Sequence, residues 1–214
     1  MGVMEMGAGG SRMARKAILL GLLCLPTGLA ASALPDSAAN DVPVIIYRPA
    51  FGETQITARL NPGLCVAFSV PDEWRRDDAA AGGLRLVSST GEGEIEIATR
   101  SIRELNDLPQ GNASARDAAL LQRDHEEILG RKAQASAVET MEGATRWTAT
   151  WIDISLPAPS HSLTVETFIV PASREWLLEV SVTDIDNRGA YDKLVAQVLS
   201  NIRTLGSAPC ARTS

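Results

Sequence analysis

Nucleophilic catalysis needs a serine or cysteine with a base held beside it, and this chain of 214 residues offers two histidines for that work, His125 and His161. His125 lies beside Asp124, Glu126 and Glu127, at a position that helical spacing puts on an apolar stripe. That setting suits a half-buried structural histidine better than a general base. His161 falls in the Pro157–Ser162 segment, which reads as a solvated loop. No G-x-S-x-G nucleophile elbow occurs. No catalytic residue is assigned, and a hydrolase with an unrecognised site stands as an alternative only.

Metal chemistry has one candidate. Asp184, Asp186, Gly189 and Asp192 fall at positions 1, 3, 6 and 9 of a calcium loop, but Arg188 takes a ligand position and Val195 stands where a bidentate Glu belongs. The segment reads instead as an acidic turn whose Asp186 or Asn187 caps the helix that follows. No Cys/His group has zinc spacing and no Gly-rich phosphate loop follows a strand, so no metal or cofactor is expected. Among the tryptophans, Trp147, Trp151 and Trp176 sit at alternating strand positions and read as core. Trp74, in a loop-like stretch after Pro71, is either packed or part of a recognition surface. The candidate binding surface is therefore Trp74 with the acidic residues Glu126, Glu127, Asp184 and Asp186.

The N-terminus bounds where this happens. Arg12, Arg15 and Lys16 precede the apolar run Ala17–Leu25; Pro26 and Gly28 break it, and Ala31-Ser32-Ala33 forms an A-x-A site. The run is far shorter than the roughly 20 residues that span a bilayer, so residues 1–33 read as a cleaved secretory signal rather than a membrane anchor. Met1–Ser11 adds nothing a signal needs, and the leader reads as starting at Met13. Cys24 lies inside the apolar run without the small residue that lipidation requires before it, so no lipid anchor is expected. The whole chain carries 20 Lys and Arg against 26 Asp and Glu, a net charge of −6; three of those cations and one of those anions lie in the leader, leaving −8 on the rest. An acidic surface with no basic block argues against nucleic acid or anionic lipid as partner. Arginine outnumbers lysine and alanine is abundant, which fits a GC-rich bacterium and a periplasmic or secreted destination. Asn112-Ala113-Ser114, formally a glycosylation sequon, then reads as a helix start.

Two cysteines follow the leader, Cys65 and Cys210. A lone pair in an oxidising compartment reads as a disulfide; two free thiols or a redox pair are the alternatives, the latter without a C-x-x-C.

Residues 34–42 are rich in Ala, Asp, Ser and Asn and read as a flexible lead-in to a single α+β domain over 43–210. Period-two alternation marks strands at Val44–Arg48, Gln55–Leu60, Leu64–Val70, Leu84–Ser89, Glu94–Ile102, Ala135–Met141, Thr145–Ile154, Ser162–Val170 and Glu175–Thr183. Asp77–Gly83 reads as a loop, and Pro157-Ala-Pro159 as a break. A capping-box-like start at Ser114–Asp117 announces a helix whose face holds Ala118, Leu121, His125, Ile128 and Leu129, stopped by Gly130. Tyr191, Leu194, Val195, Val198, Leu199, Ile202 and Leu205 form the stripe of a last amphipathic helix. These elements imply one antiparallel sheet covered by two main helices.

Val66–Arg76 (VAFSVPDEWRR), an apolar strand entering Pro-x-x-Trp, resembles the entry of PsbP-like and DcrB-like domains. Glu175–Leu205, a strand, an acidic loop and a helix ending in Ser200-Asn-Ile-Arg203, resembles their closing unit. The glycine-separated hairpin Leu84–Ile102 and the helix between hairpins fit in order, and the resemblance spans most of Cys65–Leu205. It implies an α/β/α sandwich and non-catalytic roles: assembly factors, chaperone-like adaptors and cell-envelope proteins. The segment Val44–Leu60 departs from it as an added hairpin, and no catalytic residue transfers. The expected function is an exported, non-catalytic binding or assembly protein acting on an unidentified protein partner. A periplasmic immunity protein, its acidic surface occluding a basic active site, is the alternative.

Overall fold

A computed structural model describes residues 42–78, 83–108, 111–153, 155, 161–205 and 210. The leader, the lead-in to Asp41, the middle of the Asp77–Gly83 loop and the Pro157–Pro159 break lie outside the described residues. Contacts gather Ala39–Ser214 into one unit.

Alternating apolar residues produce the strands where the sequence places them. β1 (Val44–Arg48), β2 (Glu53–Asn61) and β3 (Leu64–Pro71) run as two hairpins, with Thr54, Ile56 and Ala58 of β2 and Val66, Phe68 and Val70 of β3 buried. Pro71 cannot donate to a ladder, and Asp72 takes a left-handed φ of 64°. The chain thereby leaves that sheet and enters another through β4 (Trp74–Arg76), β5 (Leu84–Ser88) and β6 (Glu94–Ser101). A 3₁₀ turn, Ile102–Leu105, leads toward α1 (Ala113–Leu129). β7 (Ala135–Met141), β8 (Ala144–Ile152), β9 (Ser162–Pro171) and β10 (Trp176–Thr183) form a meander, followed by α2 (Arg188–Asn201) and the two-residue β11 (Arg203–Thr204).

The single sheet expected from the sequence is corrected to two antiparallel sheets: four strands in the order β1-β2-β3-β11, and seven in the order β4-β5-β6-β10-β9-β8-β7. The central strand β10 is buried on both faces, Leu177 turning one way and Leu178 the other. On one face, Leu84, Leu86, Ile95, Ile97, Leu178, Val180 and Val182 pack with the inner residues of β2 and β3 and with Tyr191, Leu194, Val195 and Val198 of α2. On the other, Trp147, Ala149, Trp151, Ile169 and Leu177 pack under Ala118, Leu120 and Leu121 of α1. The helices lie on opposite faces, but α2 shares its face with the small sheet. The side chain of Asn201 makes this join, donating to the backbone oxygen of Ser69 and accepting from its N–H, both at 3.0 Å.

Details of both helices differ from the sequence reading. The N-cap of α1 is Asn112, whose Oδ1 accepts the N–H of Ala115 at 2.8 Å, so the sequon reads correctly as a helix start while Ser114 is a buried helical residue. Ile128 is 81% exposed: past His125 the buried cluster is met by Leu129, and Gly130 in the left-handed region turns the chain away. The α2 stripe outruns its helix, because Ile202 is already extended and Leu205 lies exposed beyond β11.

Candidate functional site

Three of the five residues singled out as a binding surface converge on one cavity of about 550 Å³. The turn after β3 contributes Pro71, Asp72 and Trp74; the β5–β6 hairpin contributes Ser88, Thr90 and Glu92; and the β10–α2 loop contributes Asp184, Ile185, Asp186 and Asn187, with Ala190 and Leu194 behind them. Trp74 belongs to a short strand rather than a loop and is 6% exposed. Its donors are satisfied internally: the indole Nε1 donates to the Pro71 carbonyl at 2.7 Å, and the backbone N–H to Thr54 Oγ1 at 3.0 Å. Thr54 Oγ1 in turn donates to the Asp72 carbonyl at 2.7 Å, which holds the left-handed turn. Trp74, Ile185 and Leu194 thus give the cavity an apolar wall.

The rim is anionic. Asp72, Glu92, Asp184 and Asp186 line it; among the described residues no Lys or Arg does, and none of these four has an ion-pair partner. Asp184 is held at φ 57°, a second non-glycine residue in the left-handed region at this one site. As the sequence reading allowed, the cap of α2 comes from this loop: Asn187 Oδ1 accepts the Ala190 N–H at 3.0 Å. No group of three or more His, Cys, Asp or Glu among the described residues is arranged to hold a metal ion. A concave site with an apolar wall and an anionic rim suits an organic cation or the basic side chain of a partner.

Gly93 lies against two residues of this wall, with no room for a side chain. Its φ is +120°, and a Cβ there would lie 3.2 Å from both Trp74 Cη2 and Ile185 Cγ1. Gly93→Ala is expected to destabilise by about 1–3 kcal/mol, from backbone strain and overpacking. Urea unfolding followed by tryptophan fluorescence measures it, and an unchanged midpoint would show that the wall yields freely.

The other two singled-out residues lie elsewhere, on α1 across the seven-stranded sheet. Glu126 is engaged internally, by hydrogen bonds first from Lys132, then from Gln122 and the Ala133 N–H; these hold its carboxyl at about 2. Glu127 is exposed. Of the histidines, His125 is tilted against Trp147 and stacked on Trp151, with Nδ1 2.8 Å from the Leu121 carbonyl. Neither histidine lines the cavity.

The sequence reading missed a second constellation, where strands β6 and β10 meet α1. Arg100 Nε lies 2.9 Å from Glu179 and 3.3 Å from Asp117, with Glu104 at 3.4 Å and Asp124 at 3.9 Å from its terminal nitrogens. Asp117 is fully buried, and neither carboxylate oxygen receives a hydrogen bond from the described residues. Burial, together with the charge of Glu179, pushes its carboxyl up to about 7 against the pull of Arg100. The available signal was Leu177: an apolar residue sharing a face of β10 with Glu179 and Ser181 shows that face to be covered, and Glu179 with it.

No family model and no curated protein matches the chain. A solved structure to which it is similar is the solution structure of cyanobacterial PsbP (CyanoP) from Synechocystis sp. PCC 6803, at 10% identity and a TM-score of 0.42, covering 85% of this chain and 96% of that one. At that TM-score the likeness bears on neither ligand nor activity.

Proposed function

We propose that this chain is an exported, non-catalytic binding or assembly protein of the bacterial cell envelope, and that it takes a basic side chain of a protein partner into the cavity between Trp74 and the Asp184–Asn187 loop. The observation that carries this reading is the unneutralised anionic rim over an apolar wall. Such a cavity rewards an Arg or Lys whose stem packs on Ile185 and Leu194 while its charge meets the carboxylates. The Cys65–Cys210 link supports an oxidising compartment, and no described helix is long and apolar enough to cross a membrane. The acidic balance also suits a periplasmic immunity protein that plugs a toxin's basic site, which would use the same cavity.

A short arginine-containing peptide is the probe. NMR titration is expected to shift the Trp74 indole and the Asp184–Asn187 amides, with affinity falling as salt rises. Asp184→Asn with Asp186→Asn is expected to weaken binding roughly tenfold, while Glu126→Gln with Glu127→Gln leaves it unchanged. Equal losses from both pairs would reduce the effect to general acidity and sink the assignment. The envelope setting is tested by finding the full-length chain in a periplasmic fraction with a new N-terminus after Ala33.

A further inference from the structure

An exposed apolar residue standing by itself means little, and its surroundings decide whether it marks a contact surface. Among the described residues, the aromatic side chains left exposed are Tyr47, at 37%, and Phe51, at 74%, and both stand on the β1–β2 hairpin. The tip that carries Phe51 is fixed. The Phe51 N–H donates to the Arg48 carbonyl at 3.0 Å and the Gly52 N–H to the Pro49 carbonyl at 3.3 Å, with Gly52 in the left-handed region at φ 62°. The tip is also tied to the Trp74 cavity. The Asp72 N–H donates to the Gly52 carbonyl at 2.8 Å, and Thr54 of the same hairpin bonds both the Asp72 carbonyl and the Trp74 N–H. One backbone hydrogen bond and one residue therefore separate Phe51 from Asp72 on the cavity rim. That connection holds their Cα atoms within about 10 Å, a distance an extended chain covers in about three residues.

We infer that Phe51 is the second half of the partner site: the segment that sets a basic side chain in the Trp74 cavity lays an apolar side chain on Phe51. The inference rests on the proposed function and narrows its partner class. The partner presents an extended segment in which a basic and an apolar residue stand about three positions apart. Such an aromatic ring offers a large, rigid apolar surface at little cost in side-chain entropy. Charge favours a protein segment over a lipid surface as the occupant. Arg48, at the base of the turn, stands opposite Glu53. Beyond that pair lies Asp72, with Glu92, Asp184 and Asp186 of the unneutralised rim. Setting Phe51 into a bilayer would bring these carboxylates against the headgroups, which anionic lipid resists, whereas a basic segment is drawn to them.

Binding of labelled peptides to the full chain without its leader, followed by fluorescence anisotropy, tests this. The probes are end-blocked Gly/Ser peptides carrying Arg alone, or Arg with a Leu about three positions before or after it. In one of the two orientations the Leu is expected to tighten binding roughly tenfold over the Arg-only peptide. Phe51→Ser is expected to remove that gain while leaving the Arg-only affinity and the thermal midpoint unchanged. In NMR titration, the Leu peptide is expected to shift the Arg48–Gly52 amides, which the Arg-only peptide leaves in place. No gain from Leu in either orientation overturns the inference. A loss on Phe51→Ser that the Arg-only peptide shares equally overturns it too, as does sedimentation of the chain with phosphatidylglycerol vesicles that Phe51→Ser abolishes. Binding of the Arg-only peptide is a separate readout, so failure here and failure of the proposed function are told apart.

Discussion

Breaking the Cys65–Cys210 disulfide is expected to lower the thermal midpoint by roughly 10–15 °C, through loss of about 4–5 kcal/mol. The bridge joins residues 145 apart with Cα atoms 5.8 Å from one another, so it closes most of the domain into one loop. In the loop-entropy account, a constraint of that length acts chiefly by removing conformations from the unfolded chain. Among the described residues, Asn201 also ties the end of α2 to β3 by its two hydrogen bonds to Ser69. β11 pairs with β3 through Arg203↔Ala67 and Thr204↔Val66 alone, and the Leu205 N–H donates to the Cys65 carbonyl at 2.9 Å. Cys65 is buried in β3 and Cys210 half-buried. The cleaner variant is therefore Cys210→Ala, which leaves Cys65 as a small buried apolar residue. Differential scanning calorimetry of that variant, and of the native chain with and without reductant, should give matching losses. A drop below about 1 kcal/mol would mean that the unfolded chain is already compact near this join.

The elements legible from sequence were those whose own residues mark their ends. β1 and β7 were read to the residue because turn residues bound them, Pro43 and Pro49 about β1 and Gly143 just past β7, and Gly130 stops α1 as its left-handed conformation requires. What escaped depended on partners. β11 is too short to carry a period, and so the second sheet was hidden. Trp74 sits three residues past a proline and reads as loop, yet it is buried because Thr54 and Pro71 satisfy its donors from other strands. For the candidate site, Trp74, Asp184 and Asp186 could be singled out one by one by type. Their meeting, and the arrival of Asp72 and Glu92 beside them, needed the turn at Asp72 and the β5–β6 hairpin to be placed. Glu126 was singled out on the same ground of charge, but it closes the turn between α1 and β7 instead.

The buried group around Arg100 is the part of the structure most exposed to pH. Desolvation works against the guanidinium, but Glu179, Asp117 and Glu104 outweigh it and hold Arg100 firmly charged. Asp117 titrates at about 7 in the folded chain, against about 3.9 when unfolded. Between those values the folded state holds the extra proton. The stability this lends is complete below about pH 4 and is lost as pH rises through about 7. Arg100→Ala then leaves Asp117 and Glu179 buried without their cation. At pH 8 this is expected to cost about 3–5 kcal/mol. At pH 5 Asp117 is protonated and the cost falls to that of leaving Glu179 alone without its cation. Adding Asp117→Asn to Arg100→Ala should recover the part of the loss at pH 8 that Asp117 causes, because the amide has no charge to strand, and should lessen the pH dependence of the single variant. Guanidinium unfolding of the three chains at both pH values measures this. An equal loss from Arg100→Ala at pH 5 and pH 8 would show that Arg100 acts there by packing its stem rather than by its charge.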